Sequence, residues 1–252
     1  MNRQRKNKQG RSEKVFLNIL IIVLLVVMAV SGIQLGRAWY RYHTGTKAYE
    51  QIQKTAGTDG SSAGKSDSPD WAVLQKKYKD IKAWLKQDGT VINYPIAQAD
   101  DNQYYLYRLI SGKWNVKGSL FIDFRNKHPF QDFLTVIYGH RMKDHSMFWH
   151  IADYRKASYY SRHPDMMLYT PDGNYKLKIF AAATIPASSP RYQFNFKTKR
   201  DKQEYLNWIQ KKTVLHTNVK VSAEDHIVML STCTYEYHNA RAVVFAKMLP
   251  VN

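Results

Sequence analysis

The sequence predicts a mainly β domain, a sandwich or a barrel, carried behind an apolar N-terminal segment. Three observations predict it. From Val91 onward, short runs rich in β-branched and aromatic residues alternate with turn-rich or polar stretches. Pro171-Asp172-Gly173-Asn174 separates two such runs with the residue types of a hairpin turn. Ahead of them, Val15–Val30 is 16 residues long and apolar except for Asn18. Its extension through Gly36 brings the segment to 22 residues, enough to span a bilayer.

In chain order, residues 1–14 form a basic tail with Arg3, Arg5, Lys6, Lys8, Arg11 and Lys14 against Glu13. Such a flank stays in the cytoplasm by the positive-inside rule, so residues 15–36 read as a single-pass signal-anchor with the bulk of the chain outside. A cleaved signal peptide is the competing reading, because Ala29-Val30-Ser31 is small-residue-like. The apolar run is long for that, and either reading exports the domain. Residues 37–70 form a stalk and linker, aromatic and basic at first and a Gly/Ser stretch from 55 to 69. Residues 71–252 remain for the folded domain.

Within that domain, Asp70 caps a helix whose apolar positions Trp71, Leu74, Tyr78, Ile81, Trp84 and Leu85 recur at helical steps up to Gly89. Strands follow at Val91–Ile96, Tyr104–Leu109, Ser119–Phe124 and Leu134–Tyr138. Met147–Tyr154 reads as a short helix. Asp165–Tyr169 and Tyr175–Ile185 flank the hairpin turn. Lys202–Leu215 is an amphipathic helix with Tyr205, Leu206, Trp208, Ile209 and Leu215. Ile227–Leu230 is a short buried strand, and Arg241–Leu249 is the next.

Composition narrows the function classes. The chain has 252 residues, one domain's worth plus appendages, with 18 tyrosines and 6 tryptophans to fill a core. A single cysteine excludes an internal disulfide. Net charge is +18, with 11 Lys/Arg against 5 Asp/Glu in residues 1–70 and 27 against 15 beyond them. The basic excess is therefore not confined to the tail. No nucleic-acid-binding fingerprint is present, so it reads as attraction to an anionic wall or membrane surface, or as a plain solvated basic surface.

Cys233 closes Ser231-Thr232-Cys233-Thr234 at the end of the Ile227–Leu230 strand. A lone free cysteine is most often a small buried hydrophobe. Here its neighbours are polar, and Arg241 follows eight residues later at the start of the next strand. A thiol and a guanidinium so placed face each other across a hairpin mouth. A cysteine nucleophile also needs a base or a lowered pKa, and His140 in Tyr138-Gly139-His140 is the candidate. His145 and His150 do not follow a zinc-ligand spacing and read as surface or structural residues.

Leu-Ser-Thr-Cys-Thr-Tyr-Glu at 230–236, then Asn239-Ala240-Arg241 and Val-Val-Phe-Ala-Lys, resembles the end of the class B sortases. Four further blocks resemble that class in its own order: Tyr94-Pro95-Ile96, Asp101-Asn102-Gln103-Tyr104-Tyr105-Leu106, Gly118-Ser119-Leu120-Phe121-Ile122-Asp123, and Ile137-Tyr138-Gly139-His140-Arg141-Met142-Lys143. The resemblance covers roughly residues 71–250. It implies a closed eight-stranded β-barrel with an N-terminal helix and an extra helix before the catalytic strand.

The resemblance also implies a membrane-anchored cysteine transpeptidase that cleaves a C-terminal sorting signal after threonine. Cys233 would hold the acyl group, His140 would move the proton, and Arg241 would bind the oxyanion or the substrate backbone. Ser231, Thr232 and Asn102 match positions of substrate contact. The partners implied are surface proteins or pilins, with a wall-precursor or pilin amine as acceptor. No cofactor and no metal are expected. Some class members carry an acidic residue one or two places after the cysteine; here Thr234 and Tyr235 stand there, and Glu236 is third. A cysteine hydrolase using water and an inactive wall-binding module are the other two readings of the same residues.

Overall fold

Apolar runs too short for helices and bounded by turn residues pair edge to edge, and here they pair until no edge remains. A computed structural model describes residues 2–59, 68–234 and 236–251, with side chains from Phe16 onward. Its strands are β1 (Ile81–Lys86), β2 (Asn93–Ala97), β3 (Leu120–Ile122), β4 (Leu134–Tyr138), β5 (Asp165–Thr170), β6 (Gly173–Pro186), β7 (Ile227–Cys233) and β8 (Ala240–Val251). They close into a barrel in the order β1-β2-β3-β4-β7-β8-β6-β5. The β2–β3 and β4–β7 pairs are parallel and the rest antiparallel. This is the closed eight-stranded barrel expected from the resemblance.

The helices are α1 (Asn2–Ala56), α2 (Trp71–Lys77), α3 (Ala157–Arg162) and α4 (Lys199–Lys212). Helix α4 is the extra helix before β7. Thr198 and Asp201 form a capping box at its start, satisfying two backbone donors reciprocally. Its apolar face buries Tyr205, Leu206 and Ile209 against Phe133, Val136, Phe180, Val243 and Phe245 of the barrel.

Two local expectations are corrected. The helix expected to continue from Trp71 through Leu85 ends at Lys77, and Ile81–Lys86 is strand β1. Tyr78 turns extended, and its N–H caps Leu74 O. Ala83, Trp84 and Leu85 are consecutive and fully buried, which suits a strand hydrogen-bonded on both sides better than a one-faced helix. The strand expected at Tyr104–Leu109 is instead a 3-10 turn over Tyr104–Tyr107. Asp101 Oδ1 accepts from Gln103 N and Tyr104 N, both at 2.7 Å, and this Asp turn outcompetes the aromatic preference for strand. Helix α3 was not anticipated, and the helix expected at Met147–Tyr154 is a 3-10 stretch, Trp149–Arg155.

The chain divides into two compact units, one ending at Thr44 and the other beginning at Gly45. In the first, the apolar side chains from Phe16 to Leu35 are exposed, and this part of α1 is long and apolar enough to cross a bilayer. A signal sequence has the same features.

The second unit corrects the expected start at 71. Tyr49, Ile52 and Ala56 of α1 are buried in it. Gln53 Nε2 donates to Asn93 O at 2.8 Å, and Asp70 N donates to Ala56 O at 3.0 Å. Residues 45–56, expected as stalk and the head of the linker, are therefore part of the barrel unit. Most of the remaining linker, residues 60–67, lies outside the described residues, as does Tyr235.

Candidate active site

Strand register brings the candidate residues together. Strand β7 runs parallel to β4, with Ser231 opposite Tyr138, so the end of β7 and the end of β4 lie side by side. Cys233 is the last residue of β7, and His140 follows two residues after β4. On the other side of β7, Cys233 is paired directly with Arg241 at the start of β8. Gly139 makes the junction possible. A Cβ there would lie 2.5 Å from Leu120 Cδ2 and 2.6 Å from Phe148 Cδ2, while its N–H donates to Ser231 O at 3.1 Å.

These residues line one open cleft of about 510 Å³. Asn102, Leu106, Tyr107, Tyr192, Ser231 and Thr232 line it too. Cys233 is half-buried and is a free thiol. Arg241 is half-buried, and among the described residues its guanidinium makes one hydrogen bond, from Nη1 to Ala240 O at 3.2 Å, so other donors of its fork can meet further acceptors.

His140 is half-buried beside Tyr107, with ring centroids 5.3 Å apart. Its Nε2 lies 2.6 Å from Leu106 O. A carbonyl oxygen only accepts, so Nε2 carries a proton in either charge state and Nδ1 is the nitrogen that titrates. Burial lowers the imidazole pKa, and the Leu106 bond, which raises it, does not fully compensate. Among the described residues, no Asp or Glu lines the cleft. Glu236, third after the cysteine, is ion-paired with Arg155.

Of the remaining predicted contacts, Ser231 and Asn102 are held by the protein itself. Ser231 Oγ is bonded to Tyr192 Oη at 2.9 Å. Asn102 donates to Asp123 Oδ2 at 3.0 Å and accepts from Phe124 N at 3.1 Å, so one N–H and one lone pair of its amide are left over. Asp123 is wholly buried, and Arg125 and Tyr138 also donate to it. Burial acts to raise this carboxyl, but the bonds from Arg125 and Tyr138 outweigh that and hold it below the usual range. Thr232 Oγ1 is buried with no hydrogen-bond partner among the described residues. A buried lone hydroxyl beside a cleft is costly unless something that enters the cleft satisfies it.

The chain has clear relatives. The Sortase domain family matches residues 88–249. Sortase B of Staphylococcus aureus is 32% identical over 241 residues, covering 95% of this chain and 99% of that protein. Sortase B of Listeria monocytogenes is 32% identical over 234 residues, covering 91% and 95%. The chain belongs to the sortase family, class B. A solved Staphylococcus aureus sortase B–substrate complex superposes with a TM-score of 0.77 at 32% identity, covering 84% of this chain and all of that one. Class B sortases are cysteine transpeptidases, and the one cysteine of this sortase lies in the cleft just described.

Sequence reasoning missed two parts of the site in this sortase. Tyr192 lies in the loop between β6 and α4, where the sequence carries no periodic pattern. Its aromatic cluster Tyr192, Phe194 and Phe196 was the available signal. The Leu106 carbonyl left no signal, because every residue has one. His145 and His150 take structural roles: His145 stacks on Trp149 at 4.4 Å, and His150 Nδ1 is bonded to Asp153 Oδ2 at 2.8 Å. No cluster placed to hold a metal ion occurs among the described residues.

Proposed function

We propose that this sortase is a membrane-anchored transpeptidase that cleaves a C-terminal sorting signal after threonine and joins the threonine carbonyl to an amine. One observation carries the reading: Cys233 and Arg241 are paired across β7 and β8 in the cleft that also holds His140.

Cys233 Sγ attacks the threonine carbonyl and forms a thioester, which splits one hard step into two easier ones. Arg241 donates to the developing oxyanion or to the substrate backbone. Its guanidinium presents several donors in one fixed plane, which an ammonium does not, so lysine is a poor substitute. His140, through Nδ1, gives its proton to the leaving amine and takes one from the incoming amine. The hydroxyl of Thr232 and the spare amide positions of Asn102 are offered to the peptide. The substrates are surface proteins or pilins, and the acceptor is an amine of a wall precursor or a pilin. The apolar part of α1 anchors the enzyme with its basic N-terminus inside.

The test uses the full chain in detergent micelles with a panel of threonine-containing sorting peptides, with and without triglycine, read by intact mass. The expected result is an acyl adduct on Cys233 that triglycine discharges into a ligated peptide, and no adduct with Cys233→Ala. Discharge by water alone, with or without triglycine, would make the protein a hydrolase. Peptide capture that survives Cys233→Ala would make it a binding module.

A further inference from the structure

Outside the lining of the cleft lies a buried charge that this chemistry does not use. Only 3% of the Lys117 side chain is exposed. An ammonium so placed is costly unless it is fully partnered. Its Nζ donates to Thr46 Oγ1 at 2.8 Å and to Ser146 Oγ at 3.0 Å, and it pairs with Asp144 Oδ2 at 2.7 Å. All three of its hydrogens are thereby used. Ser146 Oγ in turn donates to Asp144 Oδ1 at 2.6 Å. Burial acts to raise Asp144, but the bonds from Lys117 and Ser146 outweigh it and hold this carboxyl below its usual range.

Two of the partners, Asp144 and Ser146, come from the loop that carries His140, and the third, Thr46, comes from α1. Asp144 and Ser146 belong to the loop that leaves His140 and returns, closed by an Arg141–Met147 bridge and by Phe148 N donating to His140 O at 2.9 Å. Lys117 belongs to the segment that holds the Tyr104–Tyr107 turn. Asn115 N donates to Tyr107 O and Ser119 N to Tyr105 O, both at 3.0 Å. That turn presents the Leu106 carbonyl to His140. Thr46 comes from α1, whose backbone packs directly on the same segment. A Cβ on Gly45 would lie 2.6 Å from Asn115 Oδ1 and 3.0 Å from Lys117 Cδ.

We infer that Lys117 is a positioning residue for His140, tying the loop that carries this histidine to the segment that holds its carbonyl partner, with Thr46 of α1 completing the cage. The inference rests on the acid–base role proposed for His140.

The test again uses the full chain in micelles. Lys117→Met/Asp144→Asn removes both charges together, so no uncompensated buried charge remains. Thr46→Val removes the acceptor that Thr46 offers Lys117 and keeps the ion pair. Both leave unchanged the titratable side chains that line the cleft with His140, namely Tyr107, Tyr138, Tyr192, Cys233 and Arg241. The first readout is the His140 ring titration by NMR. The second is turnover with whichever peptide acylates Cys233.

In the double variant the His140 midpoint is expected to rise toward about 6.5, the ordinary imidazole value. Turnover is expected to fall about tenfold with KM within about twofold, while melting stays cooperative. Thr46→Val is expected to move both readouts the same way and less. A His140 titration identical to the parent in a folded variant overturns the inference. If the double variant does not fold, Thr46→Val decides alone, by a shifted or an unshifted titration. If no peptide acylates the parent protein, the transpeptidase reading fails, and the titration still decides the role of Lys117.

Discussion

At His140 two local effects oppose each other, and the sign of the result can be measured. Burial favours the neutral imidazole, while the Leu106 carbonyl favours the protonated one, and burial wins. The folded pKa therefore lies below the value of about 6.5 in an unfolded chain. Between the two values the unfolded chain binds more protons, so stability rises with pH across that window. The contribution is complete above about pH 6.5 and is lost as pH falls through the folded value. His163 is shifted the same way, by burial and by Arg162, so the useful comparison is with a variant. The urea midpoint of the parent should drop further between pH 7 and pH 5 than that of His140→Gln. Equal drops would show that His140 is not held neutral by burial. The identity of this histidine was legible in Tyr-Gly-His-Arg-Met-Lys; the carbonyl that orients it was not, because a backbone acceptor leaves no trace in side-chain chemistry.

The same contrast recurs among the elements. Strands β4, β6, β7 and β8 were legible because each is an apolar run bounded by turn residues. The run from Trp71 to Leu85 was misread because its apolar spacing satisfies a helix while pairing with β2 and β5 claims its second half for the sheet. Gly118 shows how little sequence a decisive contact needs. It adopts φ +57°, and a Cβ there would lie 2.3 Å from Leu106 O and 2.8 Å from Tyr105 O. Both the conformation and the space demand glycine, since the clashing atoms are backbone and cannot swing away. Gly118→Ala should cost about 2–3 kcal/mol. That corresponds to about 5–10 °C in Tm for a domain of this size. Because the displaced atom is the partner of His140, turnover should fall as well. Calorimetry and the peptide assay on one preparation check both, and a variant with parental Tm would mean that the Leu106 carbonyl does not lie against Gly118.

For the molecule as a whole, the consequential boundary is at Gly45. Burying Tyr49 and Ile52 contributes about 1.5–3 kcal/mol each by area. That is a large share of the roughly 5–15 kcal/mol that holds a typical domain together. A fragment beginning at residue 71 also lacks Asp70, whose Oδ1 accepts from Val73 N at 3.1 Å to cap α2. Residues 45–252 should therefore melt close to the full chain, and residues 71–252 at least about 8 °C lower. Matching melting curves for the two fragments would show that the C-terminal turns of α1 add nothing to the barrel unit.

By itself the sequence determined the family, most of the strand-and-turn order and the apolar helix, and it named the cysteine, histidine and arginine that the proposed chemistry uses. Each of these is written in residue type at short range or in ordered blocks. Only the tertiary structure decided that residues 45–56 belong with the barrel, that Ile81–Lys86 is strand, that Tyr192 bonds Ser231, and that His140 meets the Leu106 carbonyl. Those outcomes depend on which surfaces and backbone groups meet across tens of residues, and local composition does not encode such a meeting.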